Sequence, residues 1–255
     1  MNKKELSILT AFIALIILVG GYFIIVDFTN DSLEESNLED EHSEEKQIIS
    51  EEFNNPKKTP HWEYNVPSHG SVLPAIPINI VLGFNFDLHE ISSISITKEG
   101  EEYGIGETKI EGNNLIMRRD MRENSPDGIY KVYYDACWPD ASCHDGYFEF
   151  KVDRSLADSF TDLTGQDEVT IDIKNISFVQ SKIKISKGTN INWINNDNFT
   201  HFVTSNPHGG HSYFNEMNSK GLNQEDSFSL VLEKPGVYLY HCSAHSQMTG
   251  TIIVE

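Results

Sequence analysis

The feature that most constrains the fold of this chain is a group of three metal-binding side chain types spaced three residues apart near its end. Cys242, His245 and Met248 follow one apolar run and precede another at residues 251–254. A further imidazole, His201, ends an earlier apolar run. For these four side chains to meet, two separate strand ends must lie at the same edge of a β structure.

One thiolate, two imidazoles and a weak thioether form the donor set of blue copper sites, which transfer single electrons. Zinc accepts Cys and His but has little use for a thioether. A binuclear purple copper site needs two cysteines in this segment, and multicopper enzymes need further ligand segments; the segment here has only Cys242. The other interpretation is a buried cysteine with incidental His and Met neighbours.

The C-terminal third of the chain has the pattern of a β-sandwich. Apolar and polar residues alternate in several short runs from Glu168 onwards. In the run before the donor segment, Tyr238, Tyr240 and Cys242 share one face because side chains alternate along a strand. We expect that face to be buried and His241 to point outwards.

Residues 168–255 resemble the plastocyanin and amicyanin family of small blue copper proteins, the cupredoxins. The resemblance rests on the segment Cys242-x-x-His245-x-x-Met248, whose short gap before the methionine is amicyanin-like, and on His201 upstream. It implies a Greek-key β-sandwich in which His201, Cys242, His245 and Met248 ligate one type 1 copper.

Two further expectations come from this resemblance. The family's electron port is the imidazole equivalent to His245, inside an apolar patch for which Met248, Ala244 and Pro207 are candidates. Many members have Asn after the first His ligand, where this chain has Phe202. The side chain that ties the two ligand loops together is therefore replaced here.

Residues 61–153 also consist of short apolar runs separated by turn sequences, as expected for an Ig-like sandwich. Residues 67–77 and the runs at 128–133 and 146–152 resemble a CopC-type copper-resistance domain. This resemblance leaves two interpretations: a spacer or docking domain, or a second copper site around His61, His69 and His144.

The other cysteines and a paired-histidine segment add smaller signals. Cys137 and Cys143 predict a disulfide outside the cytoplasm, with a Cys/His144 metal site as the alternative. His208-Gly-Gly-His211 is typical of a flexible loop, and copper capture is its alternative function.

The N-terminus predicts a membrane anchor. Residues 8–26 are uncharged and mostly apolar, and nineteen residues at ~1.5 Å each span the core of a bilayer. Lys3 and Lys4 precede this run, so the positive-inside rule places the rest of the chain outside the cytoplasm. A cleaved signal peptide is the alternative, but no small-residue cleavage site follows Val26.

Charge distribution excludes one class of partner. The net charge is −20, and eleven acidic residues lie between Asp27 and Glu52, where Lys46 is the sole basic residue. Without a basic patch, nucleic acid is excluded as a partner. The acidic run predicts a solvated spacer, with a docking surface for a basic partner as the alternative.

Together these signals predict an all-β protein with an N-terminal transmembrane helix. The expected divisions are a cytoplasmic stub and anchor at 1–26, an acidic disordered linker at 27–60, the Ig-like domain at 61–153, a linker at 154–167 and the cupredoxin domain at 168–255.

The predicted function is single-electron transport between transient redox protein partners by a single-pass cell-membrane protein with extracytoplasmic domains. The alternative is a copper-binding module for delivery, resistance or homeostasis. We do not expect an enzyme or a small-molecule substrate, because four ligands leave no open coordination position.

Overall fold

The computed structural model describes residues 53–255. The predicted anchor at 8–26 and residues 27–52 of the acidic linker lie outside the described residues. Within the described part, no helix combines the length and apolar character needed to cross a bilayer. The regular structure described is β-strand, with two short 3-10 helices, as expected of an all-β chain.

The N-terminal sandwich is built from nine strands in two sheets. One sheet has the order β1-β3-β7-β6 and the other β2-β9-β8-β4-β5. Their bounds are β1 Trp62–Val66, β2 Val72–Leu73, β3 Asn79–Phe84, β4 Ser93–Lys98, β5 Glu101–Glu102, β6 Gly104–Glu111, β7 Ile116–Met121, β8 Gly128–Cys137 and β9 Cys143–Val152. The β8–β9 hairpin closes with a Cys137–Cys143 disulfide, which confirms the predicted bond.

The C-terminal sandwich has eight strands, also in two sheets. The larger sheet has the order β10-β12-β17-β16-β14 and the smaller β11-β13-β15. Their bounds are β10 Thr161–Asp162, β11 Glu168–Ile173, β12 Lys182–Ile185, β13 Asn190–Asn195, β14 Thr204–Ser205, β15 Ser227–Val231, β16 Gly236–Cys242 and β17 His245–Val254. The 3-10 helices cover Arg154–Ser159 and Asn215–Met217.

The segment expected to be a linker, residues 154–167, contains structure of its own. Its 3-10 helix is followed by β10, which pairs with β12 and so becomes an edge strand of the C-terminal sandwich. A two-residue strand is too short to show periodicity, which is why the sequence did not reveal it.

The two sandwiches share a continuous interior. Val66, Ile78 and Val81 of the first sandwich belong to the buried cluster of the second, and Val237 of β16 belongs to that of the first. Val237 also donates its backbone N–H to Ile76 across the interface, at 2.8 Å. The apolar surface removed from water on both sides stabilises this arrangement.

Buried polar groups fix the register of the interface. The hydroxyl of Tyr213 accepts a hydrogen bond from the backbone N–H of Ile78 at 3.0 Å and donates one to the carbonyl of Val237 at 2.7 Å. Arg118 donates from both terminal nitrogens to the carbonyls of Ser212 and Tyr213. The carbonyl of Tyr213 also accepts the side-chain amide of Asn79 at 3.2 Å, so these bonds pair backbone groups that are buried between the sandwiches.

Candidate metal centre

The predicted donor segment forms a tight turn between two paired strands. β16 ends at Cys242 and β17 begins at His245, so only Ser243 and Ala244 separate them. The pairing register shifts between His241 and Cys242, a bulge that changes the direction of the chain at the thiol. Cys242 and His245 therefore lie opposite each other at the end of the sheet.

His201 reaches the same place from the other side. It forms an isolated bridge with Leu222, with backbone hydrogen bonds of 3.0 and 2.8 Å. The buried amide of Asn195 donates to the carbonyls of Leu222 and Phe199, both at 2.8 Å. The corner that carries His201 is thus held to the end of β13.

The distances between the donor atoms suit one metal ion. The Sγ atom of Cys242 lies 3.7 Å from Nδ1 of His201 and 3.5 Å from Nδ1 of His245. Bonds of ~2.3 Å to sulfur and ~2.0–2.1 Å to nitrogen, the values known for zinc, place two such atoms ~3.5–3.8 Å apart at angles near 105–120°. Cys242 and His201 are fully buried, so their convergence is set by packing.

The surrounding polar groups contact the sulfur and orient one imidazole. The backbone N–H of Phe202 donates to the Cys242 sulfur at 3.4 Å. Nε2 of His201 lies 3.0 Å from Oδ2 of Asp197, leaving Nδ1 to face the sulfur. Burial opposes ionisation of Asp197, but hydrogen bonds from the backbone of Ile176 and Asn175 and from His201 hold its pKa below the usual range.

Met248 lies on β17, three residues after His245. Its side chain is buried and belongs to the same apolar cluster as Cys242. The structure thus gathers His201, Cys242 and His245 and places Met248 on the adjoining strand. Phe202, at the position of the family's Asn, contributes through its backbone instead of its side chain.

A shallow depression lies beside His245 on the surface. Ile176, Ala244 and Met248 line it together with His245. The ring of Phe199 packs 5.8 Å from that of His245, and both Phe199 and Ile176 are exposed. Two candidates for the apolar patch, Ala244 and Met248, are in place, whereas Pro207 is not among the lining residues. Ile176 and Phe199 were missed because isolated apolar residues in polar loops carry no periodic signal.

The residue predicted to point outwards from the other face of β16 is buried. Tyr238, Tyr240 and Cys242 are buried as expected, but His241, expected to point outwards, is only 3 % exposed. Its imidazole is covered by the loop that carries His208 and His211, and the three can converge on one ion. Burial, and then the neighbouring His211 and His208, lower the pKa of His241 to about 4. Burial likewise lowers the pKa of His211.

The histidines of the N-terminal sandwich are placed differently. The rings of His61 and His144 both pack against the indole of Trp138, with ring centroids 5.8 and 5.0 Å away. Nδ1 of His69 accepts the backbone N–H of Glu149 at 3.2 Å. Among residues 53–255, neither three-ligand group includes His61, His69 or His144.

Comparison with protein-family models gives two matches. Residues 165–255 match the model described as copper binding proteins, plastocyanin/azurin family, and residues 63–153 match the CopC domain. Both predicted resemblances are confirmed, and the expected copper cofactor agrees with the families matched.

Amicyanin of Paracoccus denitrificans is 28 % identical over 89 residues, which cover 34 % of this chain and 65 % of that protein. The chain thus spans just under two thirds of this curated relative. Among solved structures, a proline-to-alanine mutant of amicyanin in the oxidised state is 27 % identical, with a TM-score of 0.30, covering 35 % of this chain and 83 % of that one. A methionine-to-glutamine mutant in the Cu(I) form is 21 % identical, with a TM-score of 0.31 and the same coverage.

Proposed function

We propose that this chain, a CopC domain followed by a cupredoxin domain, carries single electrons through a blue copper centre held by His201, Cys242, His245 and Met248. The observation that carries the proposal is the position of the buried Cys242 sulfur, 3.7 and 3.5 Å from the free ring nitrogens of two histidines. A thiolate and two imidazoles, with a thioether on the adjoining strand, select copper over zinc.

The role of the protein is to hold these donors in place. Copper supplies a one-electron couple between two oxidation states. Asp197 holds the His201 ring, the bridge to Leu222 holds its backbone, and the turn between β16 and β17 holds Cys242 opposite His245. Donors fixed by packing change position little between oxidation states, and a small reorganisation favours fast transfer.

Electrons would enter and leave through His245. Its imidazole is half-buried and borders the depression lined by Ile176 and Ala244, whereas His201 is fully buried. Ile176 is held at a φ of 56°, a conformation that a β-branched residue seldom adopts, while its side chain remains 49 % exposed. An apolar side chain kept exposed at a strained position is consistent with a docking role.

Transient redox proteins are the proposed partners, because a shallow depression that mixes apolar side chains with Ser246 and Gln247 suits weak encounters. We propose that residues 8–26 anchor the chain in the cell membrane with both domains outside the cytoplasm. The length of the apolar run and the two lysines before it support this topology. The Cys137–Cys143 disulfide also agrees with an oxidising compartment.

Copper delivery or homeostasis is the second candidate function. The CopC match over residues 63–153 favours it, because a copper-handling domain is joined directly to the cupredoxin domain. A delivery protein must release its ion to an acceptor, whereas an electron carrier must keep it through both oxidation states. Retention of copper through redox cycles therefore separates the two functions.

The test uses the full chain in a mild detergent, loaded with Cu(II). We expect an intense blue absorption that ascorbate bleaches and an oxidant restores over repeated cycles, without loss of metal to a Cu(I) chelator. The Cys242→Ser variant should be colourless. Colour in that variant would overturn the ligand assignment, and rapid loss of Cu(I) to the chelator would favour delivery over electron transport.

A further inference from the structure

We propose that His208, His211 and His241 form a second metal site, which binds Cu(II) on the face of β16 opposite the blue copper centre. One ring nitrogen from each histidine lies within 4.8 Å of one from each of the others. The ring centroids of His241 are 5.1 Å from His208 and 5.2 Å from His211, and those two are 6.0 Å apart. The site goes beyond the proposed electron-carrier function and does not depend on it.

The strongest evidence is the hydrogen bonding of His241. Its side chain is 3 % exposed, and its Nδ1 lies 3.0 Å from Oδ1 of Asn206. An amide oxygen accepts, so Nδ1 carries the proton and Nε2 presents a lone pair. Nε2 is buried and has no hydrogen-bond partner in the described part of the chain. A buried acceptor without a partner costs free energy unless a ligand meets it, and the metal completes that contact.

The arrangement around Asn206 has the form seen at metal centres. A ligating histidine commonly donates its second ring N–H to an oxygen, which fixes the ring and the tautomer. Asn206 fills this role for His241 and immediately precedes Pro207, where the loop to His208 and His211 begins. One short segment thus orients the buried imidazole and carries the other two.

The loop is held in position from both sandwiches. The backbone N–H groups of Gly210 and His211 donate to the carbonyl of Pro207, at 3.1 and 2.8 Å. The carbonyl of His211 accepts from the amide of Asn218 at 2.8 Å. From the N-terminal sandwich, the hydroxyl of Tyr64 lies 2.9 Å from that of Ser212.

Tyr64 also explains one glycine of the loop. A Cβ on Gly210 would lie 2.7 Å from the Tyr64 ring, so the close approach of the N-terminal sandwich requires glycine there. The first domain therefore shapes the loop that carries two of the three histidines.

The three histidines can hold one metal ion after a small inward movement of the His208 ring. Two nitrogens bound to one ion at ~2.0–2.1 Å are at most ~4.2 Å apart. His208 is exposed on a loop with glycines at the next two positions, so its ring can close the remaining gap. His211 is half-buried, and within residues 53–255 its Nε2 has only a long contact of 3.4 Å, to the hydroxyl of Ser243.

The donor set points to copper. Three neutral imidazoles suit copper, zinc and nickel, and among divalent ions the affinity order places Cu(II) first. Three ligands also leave room for water or another small ligand. The site differs from the blue centre because it has no sulfur donor, so it should bind Cu(II) without strong colour.

The experiment uses the full-length Cys242→Ser chain, in which the blue centre is disabled, titrated with Cu(II) and followed by metal analysis and electron paramagnetic resonance. We expect one tightly bound Cu(II) with nitrogen hyperfine structure. In the Cys242→Ser chain that also carries His208→Ala and His211→Ala, the affinity should fall by roughly a hundredfold or more. These two side chains are at or near the surface, and circular dichroism checks that the fold is kept.

Two controls locate the site. His61→Ala, made in the N-terminal sandwich, should leave this Cu(II) bound. Asn206→Ala should weaken binding by about 10–100-fold, and Asn206→Asp, which keeps an acceptor oxygen, should restore it. In the chain with Cys242 intact, the double His→Ala variant should keep its full blue absorption and lose one equivalent of copper.

Three results would overturn the inference. They are the absence of tightly bound Cu(II) in the Cys242→Ser chain, its persistence when His208→Ala and His211→Ala are added, and its loss in His61→Ala instead. Preference for zinc in direct competition with one equivalent of Cu(II) would overturn the assignment of copper.

Discussion

Oδ2 of Asp197 lies 3.0 Å from Nε2 of His201, and this carboxylate fixes the ring of a fully buried candidate ligand. The same carboxylate accepts backbone N–H groups from Asn175 and Ile176, at 2.8 and 2.9 Å. Asp197 thus connects the His201 corner with the loop that carries Ile176. It also brings a negative charge to the edge of the metal centre.

We expect Asp197→Asn to raise the reduction potential while the blue absorption remains. The carboxylate stabilises the more positive oxidised state, and its loss should cost that state about 1 kcal/mol, or roughly 40 mV. Protein-film voltammetry measures the shift. The control is Asp172→Asn, a substitution of an exposed residue in the same sandwich, which should shift the reduction potential far less. Equal shifts would mean that only overall charge matters.

Arg118 is the second polar group on which the structure depends. It joins the sandwiches through two carbonyl contacts and forms an ion pair with Glu111 at 2.8 Å. We expect Arg118→Ala to lower the free energy of unfolding by about 2–4 kcal/mol, because the Ser212 carbonyl loses its charged donor, the Tyr213 carbonyl keeps only the amide of Asn79 among the described residues, and Glu111 loses its ion pair. Arg122→Ala, which breaks a more exposed pair with Glu101, should cost less than about 0.5 kcal/mol.

Chemical denaturation of the metal-free chain measures both variants. The wild-type sandwiches should unfold in a single transition because they share buried residues. Two separate wild-type transitions, or equal costs for the two arginines, would contradict the role assigned to Arg118.

The convergence of donor atoms at the end of the second sandwich could be predicted from sequence. The alternating pattern of Tyr238, Tyr240 and Cys242 predicts that they share one face of a strand. The three-residue spacing from Cys242 to His245 predicts a turn. Both signals are local, so a single sequence carries them. His201, which is distant in the chain, was singled out by its position at the end of an apolar run, and the resemblance to known families supported its role as a ligand.

The second face of β16 could not be predicted in this way. His241 alternates with buried residues and so was expected at the surface, but the loop that carries His208 and His211 covers it. β7 also lacks a clear strand pattern in the sequence, because Arg118 and Arg119 interrupt its apolar residues while contacting carbonyls in the folded chain. Contacts between two domains produce no periodic pattern in the sequence of either domain.

The disulfide should stabilise the N-terminal sandwich without affecting the metal centre. Cys137→Ala with Cys143→Ala removes a short cross-link, which is worth about 2 kcal/mol in the chain-entropy model. We expect that loss in denaturation of the metal-free chain, and no difference once the wild-type bond has been reduced. The blue absorption of the copper-loaded variant should be unchanged. A bleached variant would mean that these cysteines take part in the copper site.

The surface beside His245 can be tested without knowing a partner, through electron self-exchange between oxidised and reduced copies. Ile176→Asp places a charge on the proposed port. When two copies meet, the two carboxylates must lose water and repel each other. We expect electron exchange to slow about tenfold, which corresponds to ~1.4 kcal/mol in the activation barrier. The free energy of unfolding should not fall, because Asp tolerates the positive φ that strains Ile176.

Val231→Asp is the matched control, since Val231 is also exposed but pairs with Asn190 at the far end of β13. NMR line broadening in mixtures of the two oxidation states measures the rate. Equal slowing by both variants would show that net charge, not the patch at His245, governs the encounter.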